Sequence, residues 1–174
     1  MKIACIISCY NEEKNIPEVV KQIIENKLNE RIHFVLVNNA STDNSSLLFK
    51  KYSGKYKNIQ FIINDKDIGW GFGIKFGLNR IKADIVGWTH SDLQYHAKDL
   101  LNVLDIIDQN KEKITTNNFL IKGQRINRKP IEKIFSTMMQ IICSLILAKN
   151  LTEINAQPVF INYKQLQNMT LPDG

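Results

Sequence analysis

The sequence has little cysteine: three residues in a chain of 174, none with the spacing of a metal site. Cys5 and Cys9 are four positions apart in an apolar run with the composition of a strand, which separates them by about 13 Å. A disulfide cannot bridge that distance. Cys143 stands alone in an apolar segment. We therefore expect three reduced thiols in the core of a protein from a reducing compartment.

The sequence also has no uncharged run long enough to cross a bilayer. The best candidate is residues 131–151, in which the nearly uncharged part 134–148 would rise about 22 Å as a helix. The hydrocarbon core is about 30 Å thick. We expect a buried helix there; a helix lying in a membrane interface is the alternative, because basic residues flank the stretch. The apolar run 3–9 lacks a small-residue cleavage site and leads straight into charged residues, which argues against a signal peptide.

Several common binding motifs are missing. No zinc-finger, RNP-type or basic-zipper pattern accompanies the net charge of +6, so we expect no nucleic-acid partner. The glycines at 69–77 form neither Gly-x-Gly-x-x-Gly nor a P-loop, which argues against a dinucleotide-binding Rossmann domain. They suit either close helix packing or close approach of the backbone to phosphate. One basic cluster suits phosphate or anionic lipid, and it comprises Lys122, Arg125, Arg128, Lys129 and Lys133.

What is present is an alternation of strands and helices. Strands are predicted at 2–9, 33–37, 59–63, 85–88, 119–122 and 158–161. Helices are predicted from Asn15 to about Leu28, after the cap Ser41 or Asp43, at 70–81 and 98–109, and from about Pro130. A turn is predicted at 64–69. The alternation indicates one α/β domain in which helices cover both faces of a mostly parallel sheet.

Residues 83–94 are the most informative stretch. The apolar run Ile85 to Trp88 stops abruptly at Thr89-His90-Ser91-Asp92-Leu93-Gln94. In an open α/β sheet, ligands bind where the strands end. His90, Asp92 and Gln94 alternate, so they point to one side for as long as the chain stays extended. Their donor atoms suit a divalent ion shared with a phosphorylated ligand; a solvated turn is the alternative.

Other predicted strand ends are polar too. The first runs into Tyr10-Asn11-Glu12-Glu13, which can meet a ligand or simply supply acidic residues to a helix start. The second ends at Asn39 and Ser41-Thr42-Asp43, where a carboxylate can accept from a ribose or a base, or cap the next helix. After the fifth strand, Arg125 could clamp a phosphate with its planar guanidinium. Asn155-Ala156-Gln157-Pro158 is most simply a turn.

Taken in order, these segments resemble family 2 glycosyltransferases, most closely the branch of polyprenyl-phosphate sugar transferases such as dolichol-phosphate mannosyltransferase. The resemblance rests on residues 10–17, 37–43, 69–77 and 84–94 and extends over nearly the whole chain. Each motif is weak alone, whereas the ordered series is specific. It implies an α/β GT-A fold with a nucleotide-sugar-binding part at about 1–95 and an acceptor-side part at about 96–174.

The resemblance implies roles for residues of the nucleotide half. Tyr10, Asn11 and Glu12 would lie against the nucleoside of a UDP or GDP sugar, and Asp43 would contact base or ribose. Further nucleotide contacts are expected from Asn39, Ser41 and Gly69. Asn39 departs from the family pattern, which usually has Asp at this position, so nucleotide affinity or base choice is expected to differ.

The resemblance also implies a metal corner and an acceptor side. In such enzymes an Asp-x-Asp followed by Leu-Gln holds Mg²⁺ or Mn²⁺ on the diphosphate, and here His90 replaces the first Asp, while Asp92 and Gln94 match. An imidazole adds no negative charge, so Mg²⁺ should bind more weakly than in the family. Arg125 would act beside Asp92 as the basic residue facing phosphate. The segment with Asn155 and Gln157 would lie beside the acceptor.

The implied activity is inverting, metal-dependent sugar transfer to a polyprenyl phosphate or a cell-envelope glycan precursor, in the cytoplasm at the inner face of the membrane. Residues 171–174 end the chain straight after a polar helix, so we expect an incomplete acceptor side. A non-catalytic nucleotide-sugar-binding domain is the main alternative, favoured by His90 and by this ending. A nucleotidyltransferase would need a glycine-rich Lys/Arg loop after strand one, which Tyr10-Asn11-Glu12 does not supply.

Overall fold

A computed structural model of the chain describes residues 1–66, 69–125 and 129–169. The strands are β1 (Ile3–Cys9), β2 (Ile32–Asn39), β3 (Ile59–Asn64), β4 (Ile85–His90), β5 (Leu120–Lys122) and β6 (Val159–Asn162). The helices are α1 (Ile16–Glu25), α2 (Ser45–Tyr52), α3 (Trp70–Leu78), α4 (Ala97–Gln109), α5 (Lys111–Thr116), α6 (Pro130–Ile146) and α7 (Tyr163–Gln167). Arg128, part of the predicted turn at 64–69 and the ending at 171–174 lie outside the described residues.

The strands form one six-stranded sheet in the order β3-β2-β1-β4-β6-β5. The first four strands pair in parallel, whereas β6 runs antiparallel to β4, and β5 antiparallel to β6. The predicted α/β fold with a mostly parallel sheet is therefore confirmed. Two short elements were not predicted, α5 and a 3-10 turn at Leu28–Glu30 that follows an α1 shorter than expected.

The core lies on both faces of β1, whose seven residues are all buried. Alternate β1 side chains enter two clusters, one with α1 and α4, the other with α3. Ile7 and Cys9 point into the first cluster and Ile6 into the second. Cys5 and Cys9 are core residues, as predicted, while Cys143 is only half-buried on α6. Because β1 is buried on both faces, its sequence is a nearly continuous apolar run without polar alternation.

The glycines of α3 allow this helix to pack closely on the sheet. A Cβ atom built on Gly77 would lie 2.7 Å from Ile6 Cγ2 and 3.0 Å from Val37 Cγ2, both in the core. A Cβ atom built on Gly71, six residues earlier, would have no other atom within 4 Å. Close helix packing, one of the two expected explanations, therefore accounts for Gly77.

The prediction of a buried helix after Pro130 is wrong. The helix forms, but its apolar side chains are exposed, for example Phe135 at 68% and Leu145 at 77%. Uncharged composition cannot distinguish a helix covered by its own protein from one that presents an apolar face outward. Among the described residues, no helix is both long and apolar enough to span a bilayer.

We expect Gly77→Ala to lower the free energy of unfolding by about 1–3 kcal/mol, because the added methyl group overpacks the contact between α3 and the sheet. Gly71→Ala is the matched control on the same helix and should stabilise by up to about 1 kcal/mol, since alanine favours helix more than glycine does. Urea unfolding followed by circular dichroism measures both. Equal effects of the two substitutions would contradict close packing at Gly77.

Candidate active site

The carboxyl ends of three parallel strands meet at one edge of the sheet. The register pairs Cys9 of β1 with Asn38 of β2, and Ser8 of β1 with His90 of β4. The polar segments after β1, β2 and β4 therefore start side by side, as parallel strands require. The sheet thus brings the predicted nucleotide-site segments next to the predicted metal corner.

Hydrogen bonds join the loops after β1 and β2. The backbone N–H of Asn11 donates to Ser41 Oγ (3.0 Å), and that of Thr42 donates to Asn11 Oδ1 (2.8 Å). Asn11 has a φ of +56°, a left-handed conformation that asparagine tolerates. The side chains of Asn11 and Ser41 therefore brace the two loops, while the Tyr10 ring beside them is 48% exposed and available to a ligand.

Asp43 ties the same two loops together through its carboxylate. Oδ2 accepts from the backbone N–H of Glu13 (3.0 Å) and Oδ1 from that of Ser45 (2.9 Å). Burial alone would raise the pKa of Asp43, but hydrogen bonds from Ser45 and the Glu13 backbone outweigh it and hold the pKa below its usual value. Asp43 thus has the bracing role that its position before α2 favours; its contact with base or ribose stays a prediction.

Asn39 is buried, with 2% of its surface exposed. Its Oδ1 accepts from Asn64 Nδ2 (2.9 Å), and its Nδ2 donates to the carbonyl of Gly69 (3.3 Å). A carboxylate could not make the second bond, because it has no proton to donate. The asparagine at this position therefore links the end of β3 to the start of α3.

His90 ends β4 and stacks on Trp70 at the start of α3. The ring centroids are 4.6 Å apart and the planes 21° from parallel. Stacking covers a ring face, whereas the imidazole nitrogens make their bonds in the ring plane and stay usable. Trp70 is not among the predicted site residues, and its 39% exposure shows that it does not pack in the core.

The charges around His90 come from three segments. Burial lowers the pKa of its imidazole, Arg125 lowers it further, and Asp92 and Glu12 oppose the effect. The net result is a pKa below the usual value, so the ring is neutral at pH 7 and able to bind a metal. Glu12 follows β1 and Arg125 follows β5, and both strands run in the same direction as β4, so these residues follow strand ends at the same edge of the sheet as His90.

Asp92 and Gln94 follow His90 in a turn, so the predicted alternation stops at His90. Leu93 has a φ of +59°, and the backbone N–H of Gln94 donates to Asp92 Oδ1 (3.1 Å). Gln94 is exposed. The Ser91 hydroxyl holds the turn to β1 by donating to the Ser8 carbonyl (3.2 Å). A tight turn, rather than strand geometry, therefore sets where Gln94 lies relative to the other two side chains.

The residues predicted for the acceptor side meet beyond β5. Arg125 donates from Nη2 to the carbonyl of Asn155 (2.8 Å), and the predicted turn at 155–158 is present with a cis peptide before Pro158. A side chain on Gly123 would collide with the Gln157 carbonyl, so the two segments pack without room for a Cβ. Gln157 Oε1 is buried and accepts no hydrogen bond from any described residue. These two segments therefore carry a cation, the Arg125 guanidinium, and a buried carbonyl oxygen, Gln157 Oε1, that could still accept a hydrogen bond.

The donor set fits a divalent metal that shares its coordination with a ligand. Among the described residues, no three His, Cys, Asp or Glu side chains converge as a closed metal site. His90 ends β4, and Asp92 follows it by two residues. At nucleotide sites Mg²⁺ is typically held by one or two protein groups together with phosphate oxygens and water. A neutral imidazole beside one carboxylate favours Mn²⁺ over Mg²⁺ at such a site.

The GT-A glycosyltransferases share this architecture. They have a mostly parallel sheet, and polar loops with a carboxylate and an arginine follow its strands. The family model described as Glycosyl transferase family 2 matches residues 4–162. The chain therefore belongs to glycosyltransferase family 2. An undecaprenyl-phosphate 4-deoxy-4-formamido-L-arabinose transferase from Proteus mirabilis is 24% identical over 118 residues, which cover 66% of this chain and 36% of that protein.

Solved structures share the fold. Glucosyl-3-phosphoglycerate synthase from Mycobacterium tuberculosis, in complex with Mn²⁺, UDP and phosphoglyceric acid, has a TM-score of 0.69 at 14% identity, over 97% of this chain and 58% of that one. A mannosyltransferase from Pyrobaculum calidifontis, in complex with GDP-Man and Mn²⁺, has a TM-score of 0.53 at 21% identity, over 61% and 32%. At these identities the likeness shows the fold alone, and the chain spans only part of each relative's length.

We expect Asp43→Ala to lower the free energy of unfolding by about 1 kcal/mol, because two backbone N–H groups lose their acceptor. Asn44→Ala, at the adjacent exposed position, is the control and should change it little. A lowered folded pKa means that the Asp43 contribution is present above its unfolded pKa of about 3.9 and lost as the pH falls through the folded value. The gap between the wild type and Asp43→Ala should therefore narrow below about pH 4; a gap of equal size at pH 3 and pH 7 would contradict this role.

Proposed function

We propose that this chain transfers a sugar from a UDP or GDP sugar to a polyprenyl phosphate or another cell-envelope glycan precursor, at the cytoplasmic face of the membrane. The observation that carries the proposal is the sheet topology: β1, β4 and β5 run in the same direction, so the segments with Glu12, His90, Asp92 and Arg125 follow strand ends at one edge of the sheet. Family membership supports the reaction type, and the name of the Proteus relative supports a lipid-phosphate acceptor.

The donor would occupy the part formed by residues 1–95. Tyr10, Asn11 and Glu12 would lie along the nucleoside, with Asp43 near base or ribose. Asn39 and Ser41 would act mainly by bracing these loops, because their polar atoms bond within the protein. Gly69, whose carbonyl accepts from Asn39, would bring the start of α3 close to the ligand.

His90, Asp92 and Gln94 would hold Mn²⁺ or, more weakly, Mg²⁺ beside the diphosphate. The metal would supply positive charge that stabilises the departing nucleoside diphosphate. Arg125 would add a second positive charge on the phosphate side, where its planar guanidinium can form paired hydrogen bonds. Trp70 would keep the His90 ring in one orientation by stacking on it.

The part formed by residues 96–174 would receive the acceptor near Asn155 and Gln157. A phosphate oxygen attacks the anomeric carbon from the face opposite the diphosphate, so a new carbon–oxygen bond forms as the bond to the diphosphate breaks, with inversion. A phosphomonoester has a second pKa near 6 and is largely a dianion at neutral pH. This acceptor therefore needs no general base, whereas a hydroxyl acceptor would need one.

We expect UDP or GDP to raise the melting temperature only together with Mn²⁺. At a ligand concentration one hundred times its dissociation constant, the rise should be about 5–10 °C for a chain of this size. Asp92→Asn should abolish the metal-dependent part of the rise. Asp105→Asn, which makes the same change at an exposed position on α4, should retain it. A rise that is equal with and without Mn²⁺ would contradict the proposed metal corner.

We expect the chain to consume a UDP or GDP sugar in the presence of Mn²⁺ and undecaprenyl phosphate, measured as release of the nucleoside diphosphate. Asp92→Asn and Arg125→Ala should each lower kcat/KM by about 10²-fold or more, since each removes charge that stabilises the leaving group. Asp105→Asn should retain activity. If donors bind but none is consumed with any acceptor offered, the chain is a non-catalytic nucleotide-sugar-binding domain and the transfer proposal is wrong.

A further inference from the structure

The apolar face of α6 points away from the protein. Nine described apolar side chains of this helix are exposed, among them Ile134 at 58%, Phe135 at 68%, Leu145 at 77% and Ile146 at 75%. On a helical wheel these nine positions lie within one arc of about 160°, so they form a single continuous face. Exposed apolar patches of this kind mark surfaces that contact another protein or a membrane.

The polar face of α6 is the one that meets the body of the protein. Ser136, Gln140, Cys143 and Ser144 lie on the opposite side of the helix, and these four side chains are half-buried. Ser144 Oγ accepts from the backbone N–H of Leu151 (3.1 Å). A helix that served the core would have the reverse arrangement, with its apolar stripe inward. The orientation of α6 therefore cannot be explained by packing within the described chain.

The charges at the two ends of α6 indicate which partner covers its apolar face. Lys129 precedes the helix, Lys133 lies in its first turn and Lys149 follows its end; all three are exposed. Glu132, also exposed, is the single acidic residue of α6, so cations predominate at the two ends of the helix. Arg125 lies in the loop that leads to the helix. Cations that flank an apolar helical face match a bilayer with anionic headgroups, because the apolar side chains enter the acyl boundary while the cations stay at headgroup level.

A second copy of the chain fits this face less well. If two α6 helices packed antiparallel about a two-fold axis, Lys129 and Lys133 of one copy would lie beside Lys149 of the other. In a parallel pair, each of these lysines would lie beside its own counterpart. The parallel arrangement places only like charges together. In the antiparallel one, Glu132 offsets one lysine but leaves an excess of positive charge at each end, which also disfavours association.

We propose that the apolar face of α6 docks this protein flat onto an anionic bilayer, with the polar face and the rest of the chain above the headgroups. The inference rests on the proposed function, since a lipid-phosphate acceptor is what would require a bilayer contact. A depression lined by Arg125, Gln140 and Asn155 borders α6 on its polar side. Docking on α6 would hold this depression near the headgroups, where the phosphate of a membrane lipid lies.

Sedimentation with vesicles tests the docking without donor or acceptor. The intact chain should sediment with vesicles of phosphatidylglycerol and phosphatidylcholine in roughly equal parts, and much less with pure phosphatidylcholine. Phe135→Glu combined with Leu145→Glu should lower the partition coefficient by about tenfold or more. Leu47→Glu is the matched control, because Leu47 on α2 is also exposed, at 62%. Lys149→Gln, at the exposed position that follows the helix, should lower partitioning into the anionic vesicles by about fivefold.

Insertion can be measured directly with a tryptophan reporter. Phe135→Trp should be quenched by vesicles that contain brominated phospholipid, whereas Leu47→Trp should not, with Trp70 and Trp88 as a shared background. This pair adds no charge and should not disturb folding at exposed positions. Melting temperatures within a few degrees of the wild type would confirm that all variants are folded.

Three outcomes would overturn the docking proposal: no sedimentation of the wild type with anionic vesicles, equal loss in the Leu47 and α6 variants, or quenching of both reporters alike. A dimer in light scattering that Phe135→Glu converts to a monomer, without vesicle binding, would assign the face to a second copy instead. Nucleotide binding measured without vesicles tests the proposed sugar transfer independently of the docking. A chain that binds UDP or GDP with Mn²⁺ but not vesicles disproves the docking alone.

Discussion

The parallel pairing of β1 with both β2 and β4 is the constraint on which the rest of the structure depends. The side chains of β1 alternate between two packed core clusters, so a slip by one position would exchange the side chains that each cluster has to accommodate. The register that satisfies this burial pairs Ser8 with His90 and Cys9 with Asn38. The loops carrying Asn11, Asp43 and Asp92 consequently begin at one level, and the polar cluster follows from the packing of an apolar strand.

The elements that formed as expected are those whose signal is local. β1 and β2 are dense in β-branched and apolar residues, and α1 begins with proline in its first turn, so pattern and structure agree. The strand ends were therefore predictable, and with them the neighbourhood of Asp43 and Asp92. The 3-10 turn at 28–30 and α5 carry no comparable pattern, because short helical turns are stabilised mainly by what they pack against.

The finer geometry of the site could not have come from the sequence. Asn11 and Leu93 adopt left-handed conformations, and the hydrogen bonds that hold them come from residues far along the chain or across a turn. Trp70 reaches His90 from the start of α3, a helix that packs against β1 and β2. A pattern of residue types shows which side chains follow a strand, whereas the direction in which they point is decided by loops that the pattern does not describe.

α6 shows the same limit for a whole helix. Its sequence correctly indicates one apolar and one polar face, but periodicity states only that the faces differ, not which of them meets the protein. In the structure, side chains such as Gln140 take the inner side, where they border the depression beside Arg125, and Phe135 is left outside. A polar contact stabilises far less than burial of the same number of apolar side chains. The packing of α6 therefore contributes little to the stability of the sheet. Exposure of its apolar face to water is unfavourable unless another apolar surface covers that face.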